Sequence, residues 1–210
     1  MEKTYNLIAG RSVGRLAALS DGVFAFAMTV IVLDLRVPPL APIHSESDLA
    51  RAVIALAPEA ATYLMSFLTL GIFWVGQEAQ LEQFERADRD LTWIQLAFLA
   101  AVATLPFSTR LLSDFIGFRV ALLIYWANIV VLGSLLYASW AYAERARLVA
   151  GEAPPDLARA VRRRIVVAQA LYALSAALCV IDTYVSIASI FTLQLYYAVA
   201  PRWRPRANGS

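Results

Sequence analysis

The chain has 210 residues, of which 60% are hydrophobic and 16% are charged, and its net charge is +2. Globular proteins have about 45–50% apolar and about 25% charged residues, so this chain has too few polar side chains to cover a surface that faces water. This composition excludes a disordered chain and a soluble enzyme. Because Cys179 is the single cysteine and His44 the single histidine, we expect no disulfide, metal site, cofactor or enzymatic activity. We also expect no nucleic-acid partner.

Six apolar stretches are long enough to cross a lipid bilayer, which takes about 20 residues of helix. Long continuous runs favour helices over barrel strands, whose residues alternate between apolar and polar. We therefore predict an all-α integral membrane protein with one six-helix domain over residues 1–204. Residues 205–210 form a tail that is either native or left by the expression vector. The predicted helices span approximately residues 15–35, 49–77, 91–112, 115–143, 164–181 and 183–200.

The distribution of basic residues predicts the orientation of these helices. Six crossings place both termini on one side of the membrane, together with fourteen of the eighteen Lys and Arg residues. Cytoplasmic loops carry the excess of Lys and Arg, so we expect cytoplasmic N and C termini in a multi-pass protein of a bacterial inner (plasma) membrane. The four basic residues predicted on the outer side are Arg36, Arg51, Arg110 and Arg119.

The first predicted helix contains polar residues at its start. Asp21 follows Ser20 at the beginning of an apolar run, and Arg15 precedes them. A carboxylate near hydrocarbon is costly and needs a partner or water around it. Six residues of helix place Arg15 and Asp21 on different faces, so each is expected to contact another helix or subunit. The residues leave open whether this cluster is a structural lock or a direct ion site.

Small and large apolar residues form separate stripes along the same helix. Phe26, Val30 and Leu33 share one face by their spacing, beside Leu19. Around a symmetry axis this stripe would form stacked apolar rings, whereas its spacing alone is equally typical of ordinary packing or lipid contact. The small residues, which allow another backbone to approach closely, are Ala18, Gly22, Ala25 and Thr29.

Two features of the second predicted helix and its preceding loop leave alternatives open. Glu59 directly follows Pro58. It is either a buried acid inside the second crossing, or the crossing begins after residue 49. His44 is expected to be an exposed loop residue, and the alternative for a histidine in such a loop is a pH sensor.

The motif Arg15-x-x-x-Leu19-Ser20-Asp21 resembles the signature of the transmembrane protein 175 family of cation channels, which is Arg-x-x-x-Phe-Ser-Asp at the start of the first helix. Leu19 replaces the phenylalanine of that signature. The length of the chain also resembles that of bacterial members with six helices. Weaker resemblances lie at Trp74, in Pro106-Phe107, and at Tyr125 with Asn128.

The resemblance implies a homotetramer in the lipid bilayer, with four first helices lining a pore for potassium ions. It implies a hydrophobic constriction at Phe26, Val30 and Leu33 in place of a carbonyl filter, and Thr29 as a polar residue beside the pore. Phe26 differs from the aliphatic residue usual in the family. Arg15, Leu19, Ser20 and Asp21 would form the signature and assembly network.

Asp34 near the outer end of the first helix has two interpretations: a ring of carboxylates that concentrates cations at the pore mouth, or a solvated helix end offset by Arg36. The competing function is a cation- or proton-coupled secondary transporter that uses Asp21 as its carrier group. Transporters usually contain inverted repeats and interrupted helices, and neither is evident in the sequence.

Overall fold

The computed structural model describes residues 12–35, 38, 43–151 and 155–199. Seven α-helices lie in this part of the chain, and the regular structure outside them is limited to two short 3-10 turns and one isolated bridge between Phe84 and Val149. The helices are α1 (Val13–Val30), α2 (Glu46–Ala55), α3 (Ala57–Leu81), α4 (Arg89–Asp114), α5 (Arg119–Arg145), α6 (Pro155–Ala177) and α7 (Thr183–Val199). The 3-10 turns are Ile31–Asp34 after α1 and Leu178–Val180 after α6.

Five of these elements are long and apolar enough to cross a membrane, namely 13–33, 57–81, 89–114, 119–145 and 156–180. The sixth predicted crossing corresponds to α7, which is a shorter apolar helix of 17 residues. Helix α7 follows α6 closely, because only the 3-10 turn and two further residues separate them. The structure therefore confirms an all-helical membrane protein, while the count of six crossings stays a prediction.

The second predicted helix, 49–77, differs from the structure, where it is divided at Leu56 into α2 and α3. Pro58 explains the break: it has no N–H to donate to the carbonyl of Ile54, and its ring clashes with that carbonyl. Proline is tolerated in the first turn of a helix, so a new helix begins at Ala57. The crossing thus starts later than residue 49. Glu59 lies in the first turn of α3, half-buried, where the helix dipole favours a carboxylate.

Helix α2 precedes this break and has no buried residue. The Ser45 side chain caps its N-terminus by accepting a hydrogen bond from the Asp48 backbone N–H. The Ser45 hydroxyl, the Arg51 guanidinium and the His44 backbone N–H all donate to the Asp48 carboxylate, and they hold its pKa below the usual value. This helix is therefore fixed by its own cap and ion pair.

The helices pack around two apolar clusters. Helices α4 and α5 form the most closely packed pair, α1 lies against α3 and α4, and α6 and α7 pack on the other side against α5 and α3. The larger cluster fills the centre of the bundle and includes Phe24, Met65, Leu105 and Ile129. The smaller cluster lies at the end where α3 meets α4 and is centred on Trp140. Helix α1 is consequently held on one side only.

Two loops join at the end of the smaller cluster. The backbone N–H of Glu85 donates to the carbonyl of Leu148 at 2.9 Å, and that of Ala150 donates to Gln83 at 2.8 Å. These bonds tie the α3–α4 loop to the residues after α5. They fix the end of the bundle where the predicted cytoplasmic loops lie.

Candidate functional site

One face of α1 packs into the subunit. Its buried residues recur at helical spacing and are Leu16, Ser20, Phe24 and Ala27, followed by Ile31 in the 3-10 turn. Phe24 is 1% exposed, and its ring centroid lies 6.1 Å from that of Phe98 on α4. Between membrane helices such burial stabilises through close van der Waals packing, because lipid is as apolar as the side chain. This apolar face therefore fixes the rotation of α1 about its own axis.

Ser20 interrupts the apolar face and begins a chain of hydrogen bonds through four helices. Its hydroxyl donates to Gln77 Oε1 on α3. The Gln77 amide donates to Gln95 Oε1 on α4 at 2.7 Å, and the Gln95 amide donates to Ser139 Oγ on α5 at 2.8 Å. All four residues are buried, with at most 2% of their surface exposed. We call these residues the amide network.

The amide network orients its members because each glutamine donates through its nitrogen and accepts through its oxygen. Removing one member leaves its neighbours buried without partners, which is costly in a medium of low polarity. The sequence analysis identified Ser20 and missed Gln77, Gln95 and Ser139. Their signal was present: amide side chains are rare inside apolar spans and commonly join helices there. Their pairing was not visible without the packing.

Asp21 lies beside the amide network and contacts α3. The indole Nε1 of Trp74 donates to Asp21 Oδ1 at 2.8 Å. Asp21 is otherwise exposed, as are Arg15 and Leu19. Arg15 forms no ion pair with Asp21, as the sequence spacing predicts. The structure thus places Ser20 and Asp21 against α3 and leaves Arg15 and Leu19 on the surface of the subunit.

The opposite face of α1 is apolar and exposed. Phe26 is 71% exposed and Leu33 is 77% exposed, and Val30 between them is partly exposed. Nothing lies within 4 Å of the position that a Cβ atom would take at Gly22. We call Phe26, Val30 and Leu33 the exposed stripe. An apolar surface of this kind in a membrane protein faces lipid, another copy of the chain or a pore.

A groove of about 410 Å³ lies between α1 and α4 next to the exposed stripe. Leu19, Phe26 and Val30 line it from α1, and Ala103 and Pro106 line it from α4. Pro106 does not break its helix, which continues to Asp114. The groove and the exposed stripe together form a continuous apolar surface along α1 and the adjoining part of α4.

The two polar residues predicted beside the stripe have different positions. The hydroxyl of Thr29 donates to the backbone carbonyls of Ala25 at 3.0 Å and Phe26 at 2.8 Å, so its own helix satisfies it. Thr29 is exposed on the same side as Phe26. The side chain of Asp34 lies outside what the structure describes.

A second buried network holds the other side of the bundle. The hydroxyl of Tyr125 on α5 lies 2.8 Å from Thr69 Oγ1 on α3, and the amide of Gln194 on α7 donates to the same Thr69 atom at 2.6 Å. The hydroxyl of Thr109 on α4 donates to Ser66 Oγ at 2.7 Å. Helix α1 contributes no residue to this second network, which therefore holds α3, α4, α5 and α7 together independently of the candidate site.

No three His, Cys, Asp or Glu side chains come together as metal ligands within the described ranges. Asn128, which the sequence analysis noted with Tyr125, donates to Thr104 Oγ1 at 2.8 Å and so joins α5 to α4. The candidate site consequently consists of a helix with one hydrogen-bonded, buried face and one exposed, apolar face.

The sequence of the chain is similar to those of several known proteins. The sequence profile of a family described as endosomal/lysosomal potassium channel TMEM175 matches residues 15–106. A potassium channel of Streptomyces collinus is 32% identical over 189 residues, which cover 88% of this chain and 90% of that protein. The endosomal/lysosomal proton channel TMEM175 of Danio rerio is 29% identical over 122 residues, which cover 57% of this chain and 22% of that protein.

The fold is also similar to a solved structure. The crystal structure of a lysosomal potassium-selective channel TMEM175 homolog from Chamaesiphon minutus matches with a TM-score of 0.76 and 26% identity, covering 89% of this chain and 96% of that chain. The profile match begins at Arg15, so it includes the signature motif and the amide network residues of α1, α3 and α4. The chain therefore belongs to the TMEM175 family of ion channels.

Proposed function

We propose that this protein is a potassium-selective cation channel formed by four copies of the chain in a bacterial inner membrane. In this proposal it has six crossings and cytoplasmic termini, and four α1 helices surround the pore. The exposed stripe forms its hydrophobic constriction. Thr29 is a polar contributor beside the pore, and Asp34 lies at its outer mouth. The single observation that carries the proposal is the division of α1 into a buried face and an exposed apolar face.

The division supports a pore for a physical reason. The bundle already fixes α1 through Phe24 and the amide network, so the exposed stripe is not needed for packing within the subunit. Four such stripes around an axis would form stacked apolar rings. Two related potassium channels align with 88% and 89% of this chain, which supports potassium as the permeant ion.

An apolar ring controls permeation through hydration. An ion inside it must keep part of its water shell, because the ring offers no oxygen ligands in exchange, and a narrow ring also expels water when closed. Potassium loses water at a lower cost than sodium does. We therefore expect a preference for potassium that is weaker than that of a filter built from backbone carbonyls.

The proposal is tested by planar-bilayer recording of the purified protein with potassium on one side and sodium on the other. We expect unitary currents and a reversal potential that shows a preference for potassium. Saturable transport tied to a proton gradient, without unitary currents, would instead indicate the secondary transporter and overturn the channel.

The position of the constriction is tested with Leu33→Asn. An amide in the ring would hold water there, which raises the unitary conductance and lowers the preference for potassium. A barrier lowered by about 1.4 kcal/mol raises a rate about tenfold, so even partial wetting is measurable. Leu195→Asn is the matched control, because Leu195 is also an exposed apolar residue but lies on α7. Equal currents in Leu33→Asn and the unmodified protein would contradict this position.

A further inference from the structure

A cavity of about 120 Å³ lies inside the bundle on the side away from the exposed stripe. Helices α3, α5, α6 and α7 line it, it is partly open to the outside of the bundle, and most of its walls are apolar, including Ile72, Phe73, Leu136 and Ile165. We call it the α6 cavity, because α6 contributes more of its lining than any other helix. Neither the signature motif nor the amide network reaches it.

Three polar atoms in the α6 cavity lack a hydrogen-bond partner among the described residues. They are the Oε1 atoms of Gln80 and Gln169 and the hydroxyl of Tyr172. Gln80 is 3% exposed and Tyr172 is 2% exposed. Buried polar atoms of a folded protein nearly always have a partner. Unpartnered atoms on side chains that line a cavity therefore point to a molecule that donates hydrogen bonds to them once these side chains turn toward it.

One end of the cavity carries a positive charge. Arg164 lines this end together with Gln80, Val161 and Tyr197, and its side chain forms no ion pair within the described part of the chain. The neighbouring Arg162 differs, since its guanidinium is engaged by Glu144. Of Arg162 and Arg164, the residue that lines the cavity is thus the one without an ion pair to Glu144.

The positions of the lining residues along α3 and α6 show where each end of the α6 cavity lies. Helix α3 ends at Leu81, so Gln80 lies at its last turn, and Arg164 lies in the part of α6 that precedes its apolar run. Both residues lie near the same end of the candidate spans 57–81 and 156–180, which the proposed orientation places toward the headgroups of one leaflet. Phe73 and Tyr172 lie further along the same helices and line the deeper end.

We propose that the α6 cavity binds an anionic phospholipid of the phosphatidylglycerol type. The phosphate pairs with Arg164, a glycerol hydroxyl of the headgroup donates to Gln80 Oε1, and the hydrocarbon beneath the phosphate packs against Leu136 and Ile165. Basic pockets between membrane helices are known to recognise anionic headgroups, and the apolar walls favour a lipid over a free anion. That the lipid comes from the inner leaflet rests on the proposed orientation.

The test is native mass spectrometry of the purified protein with added phosphatidylglycerol or phosphatidylcholine of identical acyl chains. We expect phosphatidylglycerol to be retained preferentially. Arg164→Gln should weaken its retention about fivefold, the effect of one basic residue near a membrane surface. Ala168→Leu, which fills the cavity from α6, should weaken it as well. Arg145→Gln removes an exposed charge outside the cavity and should leave retention unchanged.

Three results would overturn the inference: equal retention of the two lipids, equal loss of phosphatidylglycerol in Arg164→Gln and Arg145→Gln, or full retention in Ala168→Leu. Ala168→Val replaces Ala168→Leu if the larger residue prevents folding, which size-exclusion chromatography shows. The measurement needs no ion flow. Silent bilayer recordings with preserved lipid binding would therefore refute the proposed channel alone, and the reverse result would refute the lipid site alone.

Discussion

The two faces of α1 differ in what holds them. Phe24 and Phe26 are two residues apart in the same helix, yet Phe24 is 1% exposed and Phe26 is 71% exposed. The inner face packs on α3 and α4 and carries the amide network, whereas the outer face contacts little within the subunit. Similar hydropathy therefore serves two purposes in one helix. The inner face stabilises the subunit, and the outer face is left exposed for contacts outside it.

The largest expected effect is on the free energy of unfolding, and it differs between Phe24→Ala and Phe26→Ala. Phe24→Ala should lower the free energy of unfolding by about 3–5 kcal/mol, because it leaves a cavity in the core. Phe26→Ala should change that free energy by no more than about 0.5 kcal/mol, as at other exposed positions, and should alter the unitary conductance instead. Denaturation by SDS and bilayer recording measure the two quantities. Equal destabilisation by both variants would mean that Phe26 is buried in an interface between copies.

Gln77→Leu tests how much the amide network on the buried face of α1 contributes to stability. It leaves the Ser20 hydroxyl and Gln95 Oε1 without their partner, and each buried group left unpaired costs about 1–3 kcal/mol. We expect a lower thermal midpoint, measured by fluorescence-detected size-exclusion chromatography. Ser108→Ala is the control, because the Ser108 hydroxyl is buried but bonds only to Leu105 of its own helix. A midpoint reduced equally by both variants would show that the network contributes nothing beyond its individual hydroxyls.

Substitutions of Asp21 test whether the carboxylate of the motif has a structural role. Asp21→Ala removes the acceptor of the Trp74 indole N–H and should cost about 1.5–3 kcal/mol, the contribution of a hydrogen bond to a charged group. Asp21→Asn keeps an acceptor oxygen and should restore most of the stability and assembly. Normal stability and assembly of Asp21→Ala, with altered ion selectivity, would instead assign Asp21 a direct role in permeation.

The smallest effect is expected for Thr29→Val. The hydroxyl of Thr29 bonds to carbonyls that are also used by its own helix, so the free energy of unfolding should change by less than about 0.5 kcal/mol. Unitary conductance should decrease only if the hydroxyl faces the pore. Thr192→Val, with the same bond to its own helix on α7, controls for the loss of the hydroxyl.

Much of the membrane fold could be predicted from the sequence. The predicted apolar runs overlap α1, α4, α5, α6 and α7, although α6 begins at Pro155, nine residues before the predicted start at 164. The family resemblance carried by Arg15, Ser20 and Asp21 is confirmed by the comparisons. The second helix was predicted too long because the effect of Pro58 was placed inside a crossing instead of at its start. Hydropathy is averaged over many residues, so it does not show that a helix ends where a single residue, here Pro58, lacks its backbone N–H.

The site was predictable only in part. The spacing of Phe26, Val30 and Leu33 put these residues on one face, and the structure leaves that face exposed. Their role as a constriction stays a prediction, as do the tetramer and the roles of Thr29 and Asp34. What covers the exposed stripe lies outside the subunit, so the packing of one chain shows its exposure and not its neighbour.

The sequence by itself determined that this chain spans a membrane as helices, and that its first helix carries a family motif. Both follow from local chemistry, because twenty apolar residues or a short run of polar ones can be identified without knowing their neighbours. Only the tertiary structure decided that Ser20 meets Gln77, that Gln77 meets Gln95, and that Arg164 borders a cavity with unpartnered Gln80 and Tyr172. Those contacts join residues far apart in the chain, and the rotation of each helix against its neighbours fixes them.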